Sequence, residues 1–123
     1  MSAVSRAVAA DGARIAWSEY GAGPPLLLIA GQAVDSTVWD AVVPDFARYF
    51  RVLTFDHRGI GRSETGTDEA YQTRSFASDA AAVLDAAGAG RAHVYGHSMG
   101  GRVAQWLAID HAPRVGALVL GAT

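Results

Sequence analysis

Ser98 stands in Gly96-His97-Ser98-Met99-Gly100, and small residues on both sides of a hydroxyl are what a very tight strand-to-helix turn requires. The run Ala92 to Tyr95 just before it reads as a strand. Met99, Val103, Trp106 and Leu107 just after it recur at helical spacing. A serine on such a turn is held in strained backbone that lifts its hydroxyl clear of the sheet's carboxyl edge. The helix that starts beside it points free N–H groups and a positive dipole end at the reacting centre, with Met99 N–H as one donor. The chemistry this suits is nucleophilic attack on a carbonyl, through a tetrahedral oxyanion to an acyl-enzyme. A second oxyanion donor is sought at Ala30-Gly31-Gln32, after the run Leu26 to Ala30, and Gln32 N–H is the candidate. Those residues read equally well as a simple turn after a strand. Losing one of two such donors typically costs about 3 kcal/mol of transition-state stabilisation.

A serine also needs a base. Beyond Ser98 the sequence holds one acid, Asp110, and one histidine, His111. Twelve residues of helix place Asp110 about 18 Å from Ser98, against the roughly 3 Å that proton transfer requires. Asp110 and His111 therefore read as a solvated helix end, with His111 near the negative end of the dipole. His97 reads as packing or hydrogen bonding beside the site, and His93 as a satisfied core residue on a strand. His57 ends a loop at the same sheet edge as Ser98 and is weighed as a base, but a structural role is preferred. Asp56 and Arg58 read as a pair that fixes that loop.

The elements that must position Ser98 follow from hydrophobic spacing. Arg6 to Ala9, the turn pair Asp11-Gly12 and Arg14 to Tyr20 read as a hairpin. Leu26 to Ala30, Val52 to Phe55, Ala92 to Tyr95 and Ala117 to Leu120 are short apolar runs, as expected of parallel strands buried on both faces. Phe76, Ala80, Val83, Leu84 and Ala87 form one helical stripe that Gly88 would terminate. A helix is also expected over Trp39 to Phe50, with Pro44 opening or kinking it. Trp39 and Trp106 read as core filler. The order is a hairpin followed by three strand-helix-strand crossovers, an α/β open sheet.

Composition narrows the partners. The chain has 123 residues, 50% hydrophobic and 18% charged, with net charge -2, which suits one globular domain and gives no footprint for nucleic acid or an anionic membrane. It has no Cys, so disulfides, thiol nucleophiles and thiolate metal sites are excluded. All ten basic residues are Arg, which excludes a lysine phosphate loop and a lysine Schiff base. Met1 to Ala10 shows no leader pattern and no apolar run is long enough to span a membrane, so a cytoplasmic location is expected. No cofactor or metal is expected.

Three motifs in order carry a family resemblance: Pro24-Pro25-Leu26-Leu27-Leu28-Ile29, then Phe55-Asp56-His57-Arg58-Gly59-Ile60-Gly61-Arg62-Ser63, then Tyr95 to Gly101. With them the chain resembles the N-terminal half of an α/β-hydrolase-fold enzyme, in the branch of esterases, enol-lactone hydrolases and cofactor-independent haloperoxidases. Trp106-Leu107-Ala108 and Arg114 to Leu120 extend the likeness toward the enol-lactonase-like members. Ala30-Gly31 departs from the common His-Gly but keeps the backbone donor.

The resemblance implies a serine hydrolase of small-molecule carboxylic esters or lactones, with Ser98 as nucleophile and the Met99 and Gln32 N–H groups as oxyanion hole. Epoxide hydrolases and haloalkane dehalogenases carry Asp at the elbow, and Ser98 argues against both. In this fold the triad runs Ser, then acid, then His. The resemblance thus implies that residues 1 to 123 are a partial domain of six strands, with the acid, the histidine and any cap beyond it. Loss of triad members lowers kcat by about a millionfold, so this chain alone is expected to be a very weak hydrolase or none. The alternative is a non-catalytic fragment that associates through the open edge Ala117 to Leu120. A dinucleotide-binding domain is disfavoured, because Gly-X-Gly-X-X-Gly is missing after the first parallel strand.

Overall fold

Asp11-Gly12 turns the chain back on itself because Gly12 accepts a left-handed φ of 88° and the Asp11 carboxylate accepts the Ala13 N–H at 3.2 Å. The strands it joins, β1 (Ser5–Val8) and β2 (Arg14–Tyr20), pair antiparallel with Ala7 opposite Ile15. This computed structural model describes residues 4–67 and 71–123. The first three residues of the Met1 to Ala10 segment lie outside it.

Four parallel strands follow: β3 (Pro25–Ile29), β4 (Arg51–Phe55), β5 (Ala92–His97) and β6 (Val115–Gly121). With the hairpin they form one six-stranded sheet in the order β1-β2-β4-β3-β5-β6, in which β2 meets β4 antiparallel. Because β3 sits between β4 and β5, its side chains are buried on both faces. Leu27 and Ile29 join one core, and Leu26 and Leu28 join the other. That is why its sequence is continuously apolar instead of alternating.

Two helices cover the first face: α2 (Thr73–Ala86), closed by Gly88 at φ 67°, and α3 (Met99–Asp110). The stripe Ala77, Ala80, Val83 and Leu84 packs with Val103 and Leu107 over β3 and β5. The other face is covered differently from expectation. In place of one helix over Trp39 to Phe50 the chain makes a 3-10 turn at Ser36–Trp39 and a one-turn helix, α1 (Val43–Phe46), which Pro44 opens. Asp35 caps the first piece through the Thr37 N–H, and the missing N–H of Pro44 favours starting anew over continuing the first turn.

One strand departs from burial on both faces. At β6 Leu118, Val119 and Leu120 are 37, 55 and 43% exposed, because β6 is the last strand of the sheet and pairs only with β5 among the described residues. His93 departs too. It is half-buried, and its Nδ1 accepts the Ala117 N–H at 2.9 Å, taking up a ladder donor where the β5–β6 register shifts between Ala92 and Val94.

Asp56 and Arg58 hold loops separately and do not pair with each other. Asp56 accepts N–H groups from Ser36 at 2.7 Å and Arg62 at 3.0 Å. Arg58 forks onto Asp79 of α2 at 2.8 and 2.7 Å and reaches Asp11 of the hairpin turn at 2.7 Å. Arg58, with the Thr67 and Ala13 amides, holds the Asp11 carboxyl far below the usual carboxylate range, and the Asp79 bond raises Arg58 further. Arg58 and Asp79 are each 2% exposed, so removing one leaves the other charge buried alone. Arg58→Met is expected to cost about 3–5 kcal/mol in urea unfolding. A loss below about 1 kcal/mol would contradict the role given to this ion pair.

Candidate active site

Ser98 has φ 57° and ψ -123°, a region that non-glycine residues occupy at a cost of about 1–3 kcal/mol. The turn survives because its surroundings leave no alternative. A Cβ on Gly96 would lie 2.7 Å from the Gly100 carbonyl carbon. One on Gly100 would run into the Ile29 carbonyl oxygen and come within 2.6 Å of that of Ala30. The Ser98 N–H donates to the Gly121 carbonyl at 2.8 Å, which ties the turn to the end of β6. Ser98 itself is exposed.

Strand register brings the second candidate donor to it. Ile29 stands opposite Gly96 in the parallel β3–β5 pair, so Gly31, two residues on, arrives beside Ser98. A Cβ built on Gly31 would be 3.4 Å from the Ser98 Cβ and 3.9 Å from its Oγ. Neither the Gln32 nor the Met99 N–H has an acceptor among the described residues. The three residues named from sequence, Ser98, Met99 and Gln32, thus lie together at the carboxyl edge of β3 and β5, with two N–H groups available to an oxyanion.

Two cavities flank the elbow and share Gln32. One of about 450 Å³ is lined by Ser98, His97, Gln32, Val38, Trp39 and Tyr95. The other, about 420 Å³, is lined by Gln32, Met99, His57, Phe76, Tyr71 and Arg102. Trp39 packs on Tyr95 with ring centroids 5.7 Å apart, so it is a cavity wall as well as core filler. The signal in the sequence for this part in the site is the helical spacing of Val34, Val38, Trp39 and Val42 just after Gln32. Trp106 lies away from these cavities under the Arg74 guanidinium, 4.6 Å from its ring centroid.

No base reaches Ser98 Oγ, which has no hydrogen bond among the described residues. His97 is exposed and lines the Ser98 cavity. Asp110 is bound by Arg74 through two contacts of 2.8 Å, and that guanidinium lowers its pKa. His57 is buried, with its Nε2 2.9 Å from the Ala30 carbonyl oxygen. Burial pulls its pKa below the ordinary 6.5, outweighing the pull of Ala30, Asp79 and Asp56 in the other direction. Among the described residues no group of His, Asp or Glu is placed to hold a metal. Among the same described residues no helix is long and apolar enough to cross a membrane.

Residues 24–123 match the family model described as alpha/beta hydrolase fold. The chain belongs to this family. Among curated members it is 38% identical over 120 residues to 2-hydroxymuconate semialdehyde hydrolase of Pseudomonas sp., covering 95% of this chain and 42% of that one. It is 34% identical to the pimeloyl-[acyl-carrier protein] methyl ester esterase of Aeromonas hydrophila, over 81% of this chain and 38% of that one. A solved N-acyl homoserine lactone degrading enzyme matches with TM-score 0.86 and 35% identity, over 93% of this chain and 44% of its own. The chain therefore spans less than half the length of these alpha/beta hydrolase relatives.

In an alpha/beta hydrolase built this way the elbow depends on Gly100. Gly100→Ala is expected to lower stability by about 1–3 kcal/mol, because overpacking must push α3 away from β3. Thermal unfolding measures it, and an unchanged midpoint would contradict the close approach described.

Proposed function

We propose that this chain carries the nucleophile and oxyanion donors of a serine hydrolase that cleaves a small-molecule carboxylic ester or lactone through an acyl-enzyme. The observation that carries the proposal is the Ser98 backbone at φ 57°, set beside Gly31 with the Gln32 and Met99 N–H groups unpartnered. In the proposed reaction Ser98 Oγ attacks the carbonyl carbon while a base takes its proton. The oxyanion forms between the two N–H groups, and its collapse expels the alkoxide, which takes up a proton. Water then adds to the acyl-enzyme and releases the acid, returning the proton to Ser98. A methyl ester esterase and a lactone-degrading enzyme among the relatives support these substrate classes. The two cavities meeting at Gln32 suit a carbonyl whose two substituents leave in different directions, one toward Trp39 and Val38, the other toward Arg102. No cofactor enters the scheme, no nucleic acid or membrane partner is proposed, and a cytoplasmic setting fits it.

The proposal places the general base and its acid outside residues 1–123, so the chain alone is a very weak hydrolase or inactive. A second reading, association through β6, is favoured by the exposed Leu118, Val119 and Leu120 on a strand with one partner. Sedimentation of the chain together with its variant Val119→Lys measures that.

The deciding experiment compares hydrolysis of an activated ester by the chain and by the polypeptide its reading frame encodes past Thr123. The longer protein is expected to be at least about a thousandfold faster and to lose that activity with Ser98→Ala. Equal rates, or activity that survives Ser98→Ala, would overturn the proposal.

A further inference from the structure

The oxyanion-side turn is gripped from two directions, and only one grip comes from the elbow. On the α3 side, Gly100 packs directly against the carbonyl oxygens of Ile29 and Ala30. On the β4 side, the Ala30 carbonyl meets His57 Nε2 at 2.9 Å. Strand register explains the reach. Leu28 stands opposite Thr54 in the parallel β3–β4 pair, so Ala30 comes level with Asp56 and the next side chain on β4's exit loop can touch its carbonyl.

We propose that His57 is a positioning residue whose Nε2–H, donated to the Ala30 carbonyl, holds Gly31 and Gln32 in place beside Ser98. The proposal rests on the assignment of the Gln32 N–H as an oxyanion donor. A carbonyl oxygen can only accept, so Nε2 must carry the proton and Nδ1 must be the bare nitrogen. Nδ1 is buried and has no partner. A second proton there would find no acceptor, and burial disfavours the charged ring despite the nearby Asp56 and Asp79 carboxylates. Arg58, the adjacent cation, is taken up by Asp79 and Asp11. The ring cannot swing away, because Phe55 and Phe76 each pack against it with centroids 5.3 Å apart.

The turn needs such a hold. Ala33, immediately after Gln32, has φ 59°, a left-handed conformation that a residue with a Cβ adopts only when its neighbours impose it. A neutral histidine locked in one tautomer is a fixed donor, whereas a base for Ser98 would have to change protonation in every turnover. The two roles exclude each other, and the structure assigns the first.

Nuclear magnetic resonance on the 123-residue chain tests this without any Ser98 chemistry. The expected signature is a single Nε2–H tautomer of His57 with a scalar coupling across the hydrogen bond to the Ala30 carbonyl carbon. Backbone order parameters at Gly31 to Ala33 are expected near the rigid value of about 0.85, falling below about 0.6 in His57→Phe. His57→Gln, which keeps a donor at similar reach and loses the ring, is expected to restore most of that order. If packing alone mattered, Phe would hold the turn better than Gln. An Nδ1–H tautomer, absence of the coupling, or order retained in His57→Phe would overturn the proposal, and far-ultraviolet circular dichroism shows that each variant is folded. These readouts stand apart from the serine assignment, whose failure is read from ester hydrolysis after Ser98→Ala.

Discussion

The site depends on one close approach, that of the Gly100 backbone to the carbonyl oxygens of Ile29 and Ala30. With no side chain at Gly100, α3 seats against the exit of β3, and the seat sets two things together. It forces the strained turn at Ser98 and brings the loop carrying Gln32 beside the serine. The parallel register of Ile29 with Gly96 supplies the coarse alignment, and the absence of a Cβ supplies the last ångström. Strain at Ser98 is tolerable because the sheet core behind it is fully buried, with Leu27, Leu28 and Ile29 each at 0% exposure.

The same logic distributes charge. Among the described residues Arg58 is the one buried Arg, and its two carboxylate partners come from elements remote in sequence, the β1–β2 turn and α2. Buried charge is costly unless paired on every side, so the pairing joins hairpin, loop and helix at fixed positions. Asp56 does by backbone donors what Arg58 does by ion pairs, accepting the Ser36 and Arg62 amides. The loop after β4 is thereby held at three successive residues, since His57 between them is bound to Ala30.

Much of this was legible in the residues themselves. Gly96 and Gly100 around Ser98 announced the elbow, the apolar run Leu26 to Ala30 announced a central strand, and Gly88 marked the end of a helix that the structure closes at Ala86 with Ala87 as its cap. What spacing did not reveal is where tertiary contacts override local pattern. Pro44 split an expected helix into two short pieces. The apolar run Ala117 to Leu120 suited either burial on both faces or an open edge, and among the described residues the structure places it at the edge of the sheet beside β5. Asp56 and Arg58, two residues apart, looked like partners, while Asp56 takes the Ser36 and Arg62 amides and Arg58 takes the Asp79 and Asp11 carboxylates. Trp39 carries a helical spacing signal, but spacing alone does not tell an aromatic that fills a core from one that walls a cavity.

The central proposal is that Ser98 faces two backbone donors, one from the loop after β3 and one from the first turn of α3. A crystal structure of the protein with a tetrahedral phosphonate on Ser98 Oγ tests it most directly. The account predicts one phosphonate oxygen about 2.7–3.1 Å from both the Gln32 and Met99 nitrogens, with Ser98 still at positive φ. An adduct oxygen turned to solvent, or bound by neither nitrogen, would contradict it.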